Sequence, residues 1–237
     1  MKKIHYYFCW FNDTMPERVA ELLRGDLPNR SSLVSICTKP SEYDANDQMV
    51  KTTITEWLDP AGLTFDEYHL IDYRVTKEKA RELLKNASAI FLHGGNAILL
   101  NNFLVEYDLP TAIKDSNAAV IIGASAGSMN MSTHWVADKK VETYSNGKVK
   151  AGTIYDGIGL DNFAVGAHYS GSDVEADQLV DELFALSQKI DVYVPCWESA
   201  IRSKDGKLGF VGKVFHISDS KIQKLDETEF VKRASLY

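Results

Sequence analysis

The fold is decided by one stretch of sequence, AAVIIGASAG at residues 118–127. Residues 118–123 contain no polar side chain, which is typical of a central strand buried on both faces of a parallel sheet. The continuation Gly123-Ala124-Ser125-Ala126-Gly127 supplies the small residues that a sharp turn from a strand into a helix requires. We therefore expect a buried strand, a tight turn at Ser125 and a helix after it.

On both sides of this stretch, short apolar runs alternate with longer amphipathic segments, a pattern that indicates a parallel sheet covered by helices on both faces. The strand candidates are 4–10, 32–37, 67–71, 88–92, 118–123, 163–167 and 191–195. The helix candidates are 15–24, 43–58, 76–86, 96–105, 126–132 and 173–188. Runs such as 208–216 predict short antiparallel edge strands near the C-terminus, and the polar segment 137–152 with its Asn146-Gly147 pair suggests a surface hairpin.

Composition narrows the class of protein. The chain has 237 residues, 45% of them hydrophobic, and we expect a single α/β domain over residues 1–237. The net charge of −7, with acidic and basic residues interspersed, argues against a nucleic-acid partner and favours a small molecule or peptide. A homodimer is compatible with these features, although no sequence pattern specifies one.

The cellular location is also an expectation from composition. Three scattered cysteines do not fit a disulfide framework or a zinc site, which suggests a reducing compartment, the cytoplasm. The apolar run after Lys2-Lys3 contains His5 and lacks a cleavage site, so a first β-strand explains it better than a signal peptide. No apolar stretch approaches the ~20 residues of a membrane span, so we expect no membrane association.

Ser125 is the candidate nucleophile. A hydroxyl attacks a carbonyl at neutral pH only with a base to take its proton and donors to hold the oxyanion. In a strand-to-helix turn, the N–H of Ala126 can serve as one donor, and the Gly94-Gly95 turn after a neighbouring strand can supply others. Asn96 then fits an N-cap of the following helix. The same pattern also fits a purely structural turn, so partner residues must decide.

Six histidines compete for the role of base, and we choose His168 because it ends the predicted strand 163–167. His5 and His216 lie inside strand patterns and are more typical of structural histidines, whereas His93 adjoins the Gly94-Gly95 turn and can contact substrate. The orienting carboxylate remains open at this point. Position along the chain leaves three candidates, which are Glu198, Asp161 and Asp173.

Four blocks in order resemble the peptidase E (aspartyl dipeptidase) family of serine peptidases, related to cyanophycinases and, in fold, to class I glutamine amidotransferases. They are Phe91-Leu92-His93-Gly94-Gly95-Asn96, Gly123-Ala124-Ser125-Ala126-Gly127-Ser128, Gly157-Ile158-Gly159-Leu160 with His168-Tyr169, and Glu198-Ser199-Ala200-Ile201. The resemblance implies a three-layer α/β/α, flavodoxin-like fold. It also implies a catalytic triad of Ser125, His168 and Glu198 without a metal or organic cofactor, and it selects Glu198 as the acid.

Two departures from that family bear on the substrate. His93 stands where the family usually has another glycine. The segment after His168 is acidic and has no lysine or arginine before Lys189, whereas aspartyl dipeptidases are expected to hold the substrate carboxylate with a basic residue there. We therefore expect a dipeptidase-like enzyme that prefers a basic or neutral residue over aspartate. The alternatives are an esterase or amidase of the same fold, and a binding protein that has kept the fold without catalysis.

Overall fold

The computed structural model describes residues 3–167, Tyr169 and 181–225, together with the backbone of Val231–Lys232. The helices in this part of the chain are α1 (Glu17–Asp26), α2 (Tyr43–Thr52), α3 (Lys77–Asn86), α4 (Ala97–Glu106), α5 (Leu109–Lys114), α6 (Ala126–Met131), α7 (Lys139–Tyr144) and α8 (Asp181–Ser187). A π-helical turn, Thr53–Leu58, continues α2.

The strands are β1 (Ile4–Phe8), β2 (Ser32–Ile36), β3 (Glu67–Ile71), β4 (Ala89–Leu92), β5 (Val120–Ala124), β6 (His134–Val136), β7 (Ile154–Asp156), β8 (Ala164–Val165), β9 (Val192–Pro195), β10 (Ala200–Lys204), β11 (Lys207–Val211), β12 (Val214–Ser218), β13 (Lys221–Leu225) and β14 (Val231–Lys232).

The central sheet has eight strands in the order β14-β11-β10-β1-β5-β4-β2-β3. The five strands from β1 to β3 in that order pair in parallel, whereas β10, β11 and β14 add to the β1 side in antiparallel fashion. The expectation of a mostly parallel sheet with antiparallel edge strands near the C-terminus is therefore confirmed. β5 lies between β1 and β4, so the Ser125 turn leaves the middle of the sheet.

β5 is buried on both faces, as its uninterrupted apolar sequence predicts. Val120 and Ile122 pack into a core cluster that also contains Val19 and Leu23 of α1. Ile121, between them in sequence, points to the opposite cluster, which contains residues of α3, α4 and α5. Because successive side chains of a strand point to opposite faces, this split places helices above and below the sheet. The three-layer α/β/α architecture follows.

Two expected strands do not join the central sheet. β8 and β9 pair in parallel with each other, and β12 and β13 extend them into a separate four-stranded sheet in the order β13-β12-β9-β8. Its apolar face packs on α8 through side chains such as Leu183 and Leu186. β8, the strand that precedes His168, is therefore not a sheet neighbour of β5, because burial in a second small core gives the same apolar pattern as burial in the central sheet.

The hairpin expected within 137–152 also lies elsewhere. That segment contains α7, and the strands that pair around it are β6 and β7 on either side. Asn146 and Gly147 both have positive φ, 53° and 70°, as their sequence suggests, but they form the turn that follows α7. The Asn-Gly pair therefore predicts the local backbone conformation correctly, but the turn it forms ends a helix instead of joining the two strands of a hairpin.

Candidate active site

Ser125 occupies a strained turn between β5 and α6. Its φ is 52° and its ψ is −110°, a region that residues with a side chain rarely adopt. The turn is held by backbone hydrogen bonds, because the Ser125 N–H donates to the Phe8 carbonyl at 2.9 Å and its own carbonyl accepts from the Met129 N–H at 3.0 Å. Strain of this kind persists only where the surroundings enforce it, and here the end of β1 and the first turn of α6 do so.

The glycines on either side of Ser125 are required by close packing. A Cβ placed on Gly127 would lie 2.1 Å from the Leu92 carbonyl oxygen at the end of β4, and one placed on Gly123 would lie 2.6 Å from the Ser128 nitrogen. α6 therefore begins directly against the neighbouring strand. The Gly-x-Ser-x-Gly pattern at this position is explained by the contact of α6 with β4 and β5.

The turn after β4 lies beside Ser125. A Cβ on Gly94 would be 3.3 Å from the Ser125 Cβ and 3.4 Å from the Ala124 carbonyl oxygen. Gly95 has a φ of 132°, and its Cβ would lie 2.4 Å from the Thr38 hydroxyl oxygen, so this position excludes a side chain, whereas one at Gly94 would be tightly packed. Two glycine-containing turns from adjacent parallel strands thus meet at Ser125, at the carboxyl edge where ligands bind in open α/β sheets.

Asn96 is the N-cap of α4, as the sequence predicts. Its side-chain oxygen accepts hydrogen bonds from the N–H groups of Ile98 and Leu99, both at 3.0 Å. The side chain is therefore committed to the helix end rather than pointing freely towards a substrate. This arrangement fixes the start of α4 relative to the Gly94-Gly95 turn.

Two buried polar side chains that the sequence analysis did not single out tie α6 to its neighbours. The Ser128 hydroxyl lies 2.8 Å from the Phe8 carbonyl and 2.7 Å from the Gly123 carbonyl. The Asn130 amide donates to the carbonyls of Ala97 and Ala126. Each side chain satisfies groups on two different elements, so the turn at Ser125 is fixed from several sides. In the sequence, the only indication of this role is that small polar residues occur early in the predicted helix.

Glu198 lies in the loop between β9 and β10, beside the loop that follows β1. Its N–H donates to the Trp10 carbonyl at 2.9 Å, and its exposed carboxylate accepts from the Asn12 N–H at 2.7 Å. Its φ of 59° is again unusual for a residue with a side chain. Because Phe8 of β1 pairs with Ala124 of β5, the loop that holds Glu198 leaves the sheet at the same edge as Ser125.

The competing carboxylate Asp161 has a different environment. Its oxygens accept hydrogen bonds from His5, Tyr7 and Ser203, each at 2.7 Å. Burial alone would raise the pKa of Asp161, but these contacts with His5, Tyr7 and Ser203 lower it overall. His5 lies on β1 and pairs with Ile121 in the middle of β5. The contact with His5 therefore places Asp161 beside the middle of these strands rather than beside the turn at Ser125. Asp173, the third candidate, lies outside the described residues.

The histidines can be sorted only in part. His168, the expected base, lies outside the described residues, as does most of the acidic segment that follows it. His5 bonds to Asp161, and His216 approaches Asp191 at 3.1 Å while it stacks on Tyr193, so both have the structural surroundings that their strand positions predict. The assignment of His168 as the base therefore stays a prediction from the sequence.

His93 is buried, with 2% of its surface exposed, and does not line the surface of the site. Its ring packs on Phe91, with 4.6 Å between centroids, and its Nδ1 has a long contact of 3.5 Å to the Thr53 hydroxyl. Nε2 has no hydrogen-bond partner in the part of the chain that the structure describes. Burial lowers the pKa of His93 from its ordinary 6.5 to about 3. The interpretation of His93 as a substrate contact is corrected accordingly, because its ring lies beneath the turn.

The burial of a neutral His93 predicts a pH-dependent stability. Below pH 6.5 the unfolded chain binds a proton at this position that the folded chain does not bind until about pH 3. The contribution is therefore complete above pH 6.5 and is lost as the pH falls, by up to about 1.4 kcal/mol per pH unit. We expect His93→Phe, which keeps an aromatic ring against Phe91, to flatten the fall in unfolding free energy between pH 6.5 and 5. Urea unfolding across this range measures it, and parallel curves for the two proteins would refute the assignment.

The described residues can also be compared with the requirements of a metal site and of a membrane-spanning helix. Among the described residues no group of three or more histidine, cysteine, aspartate or glutamate side chains is arranged to hold a metal ion. In the same part of the chain, every helix is too short or too polar to cross a bilayer. The thiols of Cys9, Cys37 and Cys196 are all buried.

Comparison with known proteins places this geometry in a family context. The model of peptidase family S51 matches residues 40–211. A curated relative, peptidase E from Nostoc sp. strain PCC 7120, is 29% identical over 141 residues, which cover 56% of this chain and 52% of that protein. The chain therefore matches about half the length of that relative.

Two solved structures share the fold. A peptidase from an acI-B1 actinobacterium superimposes with a TM-score of 0.71 at 17% identity, over 98% of this chain and 97% of its own. A protein from Listeria monocytogenes EGD-e, described as a candidate peptidase E, gives a TM-score of 0.58 at 17% identity, over 88% and 98% of the two chains. At such identities the likeness concerns the fold alone.

Proposed function

We propose a function from one established premise, which is that the chain belongs to peptidase family S51. The chain is a serine peptidase that hydrolyses short peptides, with Ser125 as the nucleophile. The observation that carries this proposal is the strained backbone of Ser125, enclosed by the Gly94 turn and the start of α6. A backbone of this kind is expensive to maintain, and such strain clusters at catalytic positions.

The proposed reaction proceeds in two acyl-transfer steps. The Ser125 Oγ attacks the peptide carbonyl as His168 takes its proton, and the carbonyl carbon becomes tetrahedral. The C–N bond then breaks, and His168 gives the proton to the leaving amine. In the second step His168 takes a proton from water, the hydroxide attacks the acyl-enzyme, and the Ser125 oxygen recovers the proton as it leaves. The N–H groups of Ala126 and of the Gly94-Gly95 turn hold the oxyanion in both steps.

Glu198 is assigned as the carboxylate that orients His168. The position of Glu198 supports this assignment. Its loop is hydrogen-bonded to the loop after β1, at the edge of the sheet where β5 ends at Ser125. Asp161 is less suited, because three hydrogen bonds already engage its carboxylate. A carboxylate in this role fixes the imidazole tautomer and stabilises the imidazolium that forms during the reaction.

Hydrolysis of dipeptides tests the function and its specificity together. The residues between His168 and Lys189 include Asp173, Glu175 and Asp177 and no lysine or arginine, so the sequence offers no partner there for a substrate carboxylate. We expect the purified protein to release amino acids from Ala-Ala and Lys-Ala at least as fast as from Asp-Ala. A strong preference for Asp-Ala would refute the specificity. Hydrolysis of ester analogues without any peptide cleavage would instead support an esterase.

A further inference from the structure

Two tryptophans are exposed at the edge of the sheet that carries Ser125. Trp10 follows β1 with 41% of its surface exposed, and Trp197 precedes Glu198 with 50% exposed. The Trp10 carbonyl accepts a hydrogen bond from the Glu198 N–H, so the two loops that carry these rings are joined. Large aromatic side chains are more often covered in a folded protein, so two exposed indoles on joined loops beside a candidate nucleophile suggest a contact surface.

The indole of Trp10 lies one glycine away from Ser125. A Cβ built on Gly94 would be 3.0 Å from Cζ3 of Trp10 and 3.3 Å from the Cβ of Ser125. Gly94 is therefore enclosed between the two side chains, and the Trp10 ring borders the space above the serine turn.

The ring of Trp10 is held in one orientation by the core beneath it. It meets Trp57 edge-on, with 4.8 Å between centroids and an interplanar angle of 71°. Trp57 is itself buried and packs on Phe11 at 5.1 Å and Phe91 at 6.4 Å. The exposed part of Trp10 is thus the outer end of a continuous cluster of aromatic rings, so a ligand that covers it does not have to order the ring.

We propose that Trp10 is a specificity-determining residue, which forms an apolar wall for the side chain of the residue that acylates Ser125. The substrate class is therefore short peptides whose acyl-donating residue is neutral and apolar, such as leucine or phenylalanine. This inference rests on the proposed peptidase function. The sequence predicts a substrate whose acyl-donating residue is neutral or basic. The aromatic surface of Trp10 next to the nucleophile narrows this prediction to apolar residues.

The hydrolysis kinetics of a series of dipeptides test whether Trp10 contacts the side chain of the acyl-donating residue. The full chain is assayed with Leu-Ala, Phe-Ala, Ala-Ala, Lys-Ala and Asp-Ala, and kcat/KM is compared for the wild type, Trp10→Ala and Trp10→Phe. We expect Trp10→Ala to lower kcat/KM about tenfold or more for Leu-Ala and Phe-Ala and about twofold or less for Ala-Ala, since only the larger side chains lose a covered contact. Trp10→Phe should restore most of the loss. Ile222→Ala removes a 40% exposed apolar side chain on β13 and should change nothing.

The outcomes separate this inference from the proposed function. A uniform loss over all substrates, or a wild type that prefers Lys-Ala or Asp-Ala, would overturn the role of Trp10 while leaving the peptidase in place. A wild type that cleaves no peptide and does not react with a fluorophosphonate at Ser125 would overturn the function itself. A selective loss for the apolar dipeptides, with rescue by phenylalanine, supports both.

Discussion

Ser125→Ala is expected to abolish peptide hydrolysis, with kcat/KM falling by about 10⁴-fold or more, because it removes the hydroxyl proposed as the nucleophile. The fold should remain, since the change removes one oxygen from a small side chain. Hydrolysis of the preferred dipeptide by matched amounts of folded protein measures the effect. Ser31→Ala, an exposed serine immediately before β2 and thus at the opposite end of the sheet, is the matched control and should retain activity.

A second replacement at the same position separates catalysis from backbone strain. Ser125→Gly should be as inactive as Ser125→Ala, yet more stable than the alanine variant by about 1 kcal/mol, because glycine adopts a φ of 52° with a ψ of −110° without steric cost. Urea unfolding of the two variants gives the difference. Equal stabilities would show that the turn is not strained, and activity in either variant would show that Ser125 is not the nucleophile.

Gly127→Ala is expected to have the largest effect on folding. Its Cβ would lie 2.1 Å from the Leu92 carbonyl oxygen and 2.9 Å from the Leu92 Cβ, so α6 would have to move away from β4. Overpacking of this kind costs about 3 kcal/mol or more when the clash is with backbone. The free energy of unfolding from urea titration, or the soluble yield if the variant fails to fold, measures the loss.

The control for Gly127 lies in α1. A Cβ on Gly25 meets no atom within 4 Å, and alanine is a better helix former than glycine. Gly25→Ala should therefore leave stability unchanged or raise it by up to about 1 kcal/mol. If Gly127→Ala were as stable as Gly25→Ala, the packing of α6 against β4 described above would be wrong.

Much of the fold around Ser125 can be predicted from the sequence because its determinants are local. An apolar run buried on both faces identifies β5, and the close approach of α6 requires the glycines around Ser125. Asn96 caps α4 with its own side chain, which is also a short-range interaction. Each of these features leaves a mark in a short stretch of sequence, as an apolar run, a pair of glycines or a capping residue, even where the contact that requires it is with a distant segment.

The features that could not be predicted depend on contacts between distant segments. β8 and β9 have the same apolar character as central strands, and nothing in the runs themselves indicates that they pair in a second sheet. The burial of His93 results from its packing against Thr53, forty residues earlier, and the contact of Trp10 with Gly94 joins the loops after β1 and β4, which are far apart in the sequence. A single sequence gives no measure of such distances.

The most direct test of the account is covalent labelling of the folded wild-type protein with a fluorophosphonate, followed by peptide mass spectrometry. An activated serine reacts because its base removes the hydroxyl proton during attack. We expect one adduct, on Ser125, which is lost in Ser125→Ala, strongly reduced in His168→Ala and unchanged in His69→Ala, whose ring contacts Glu67 on β3. An unlabelled Ser125 in folded protein, or labelling that persists at full rate in His168→Ala, would contradict it.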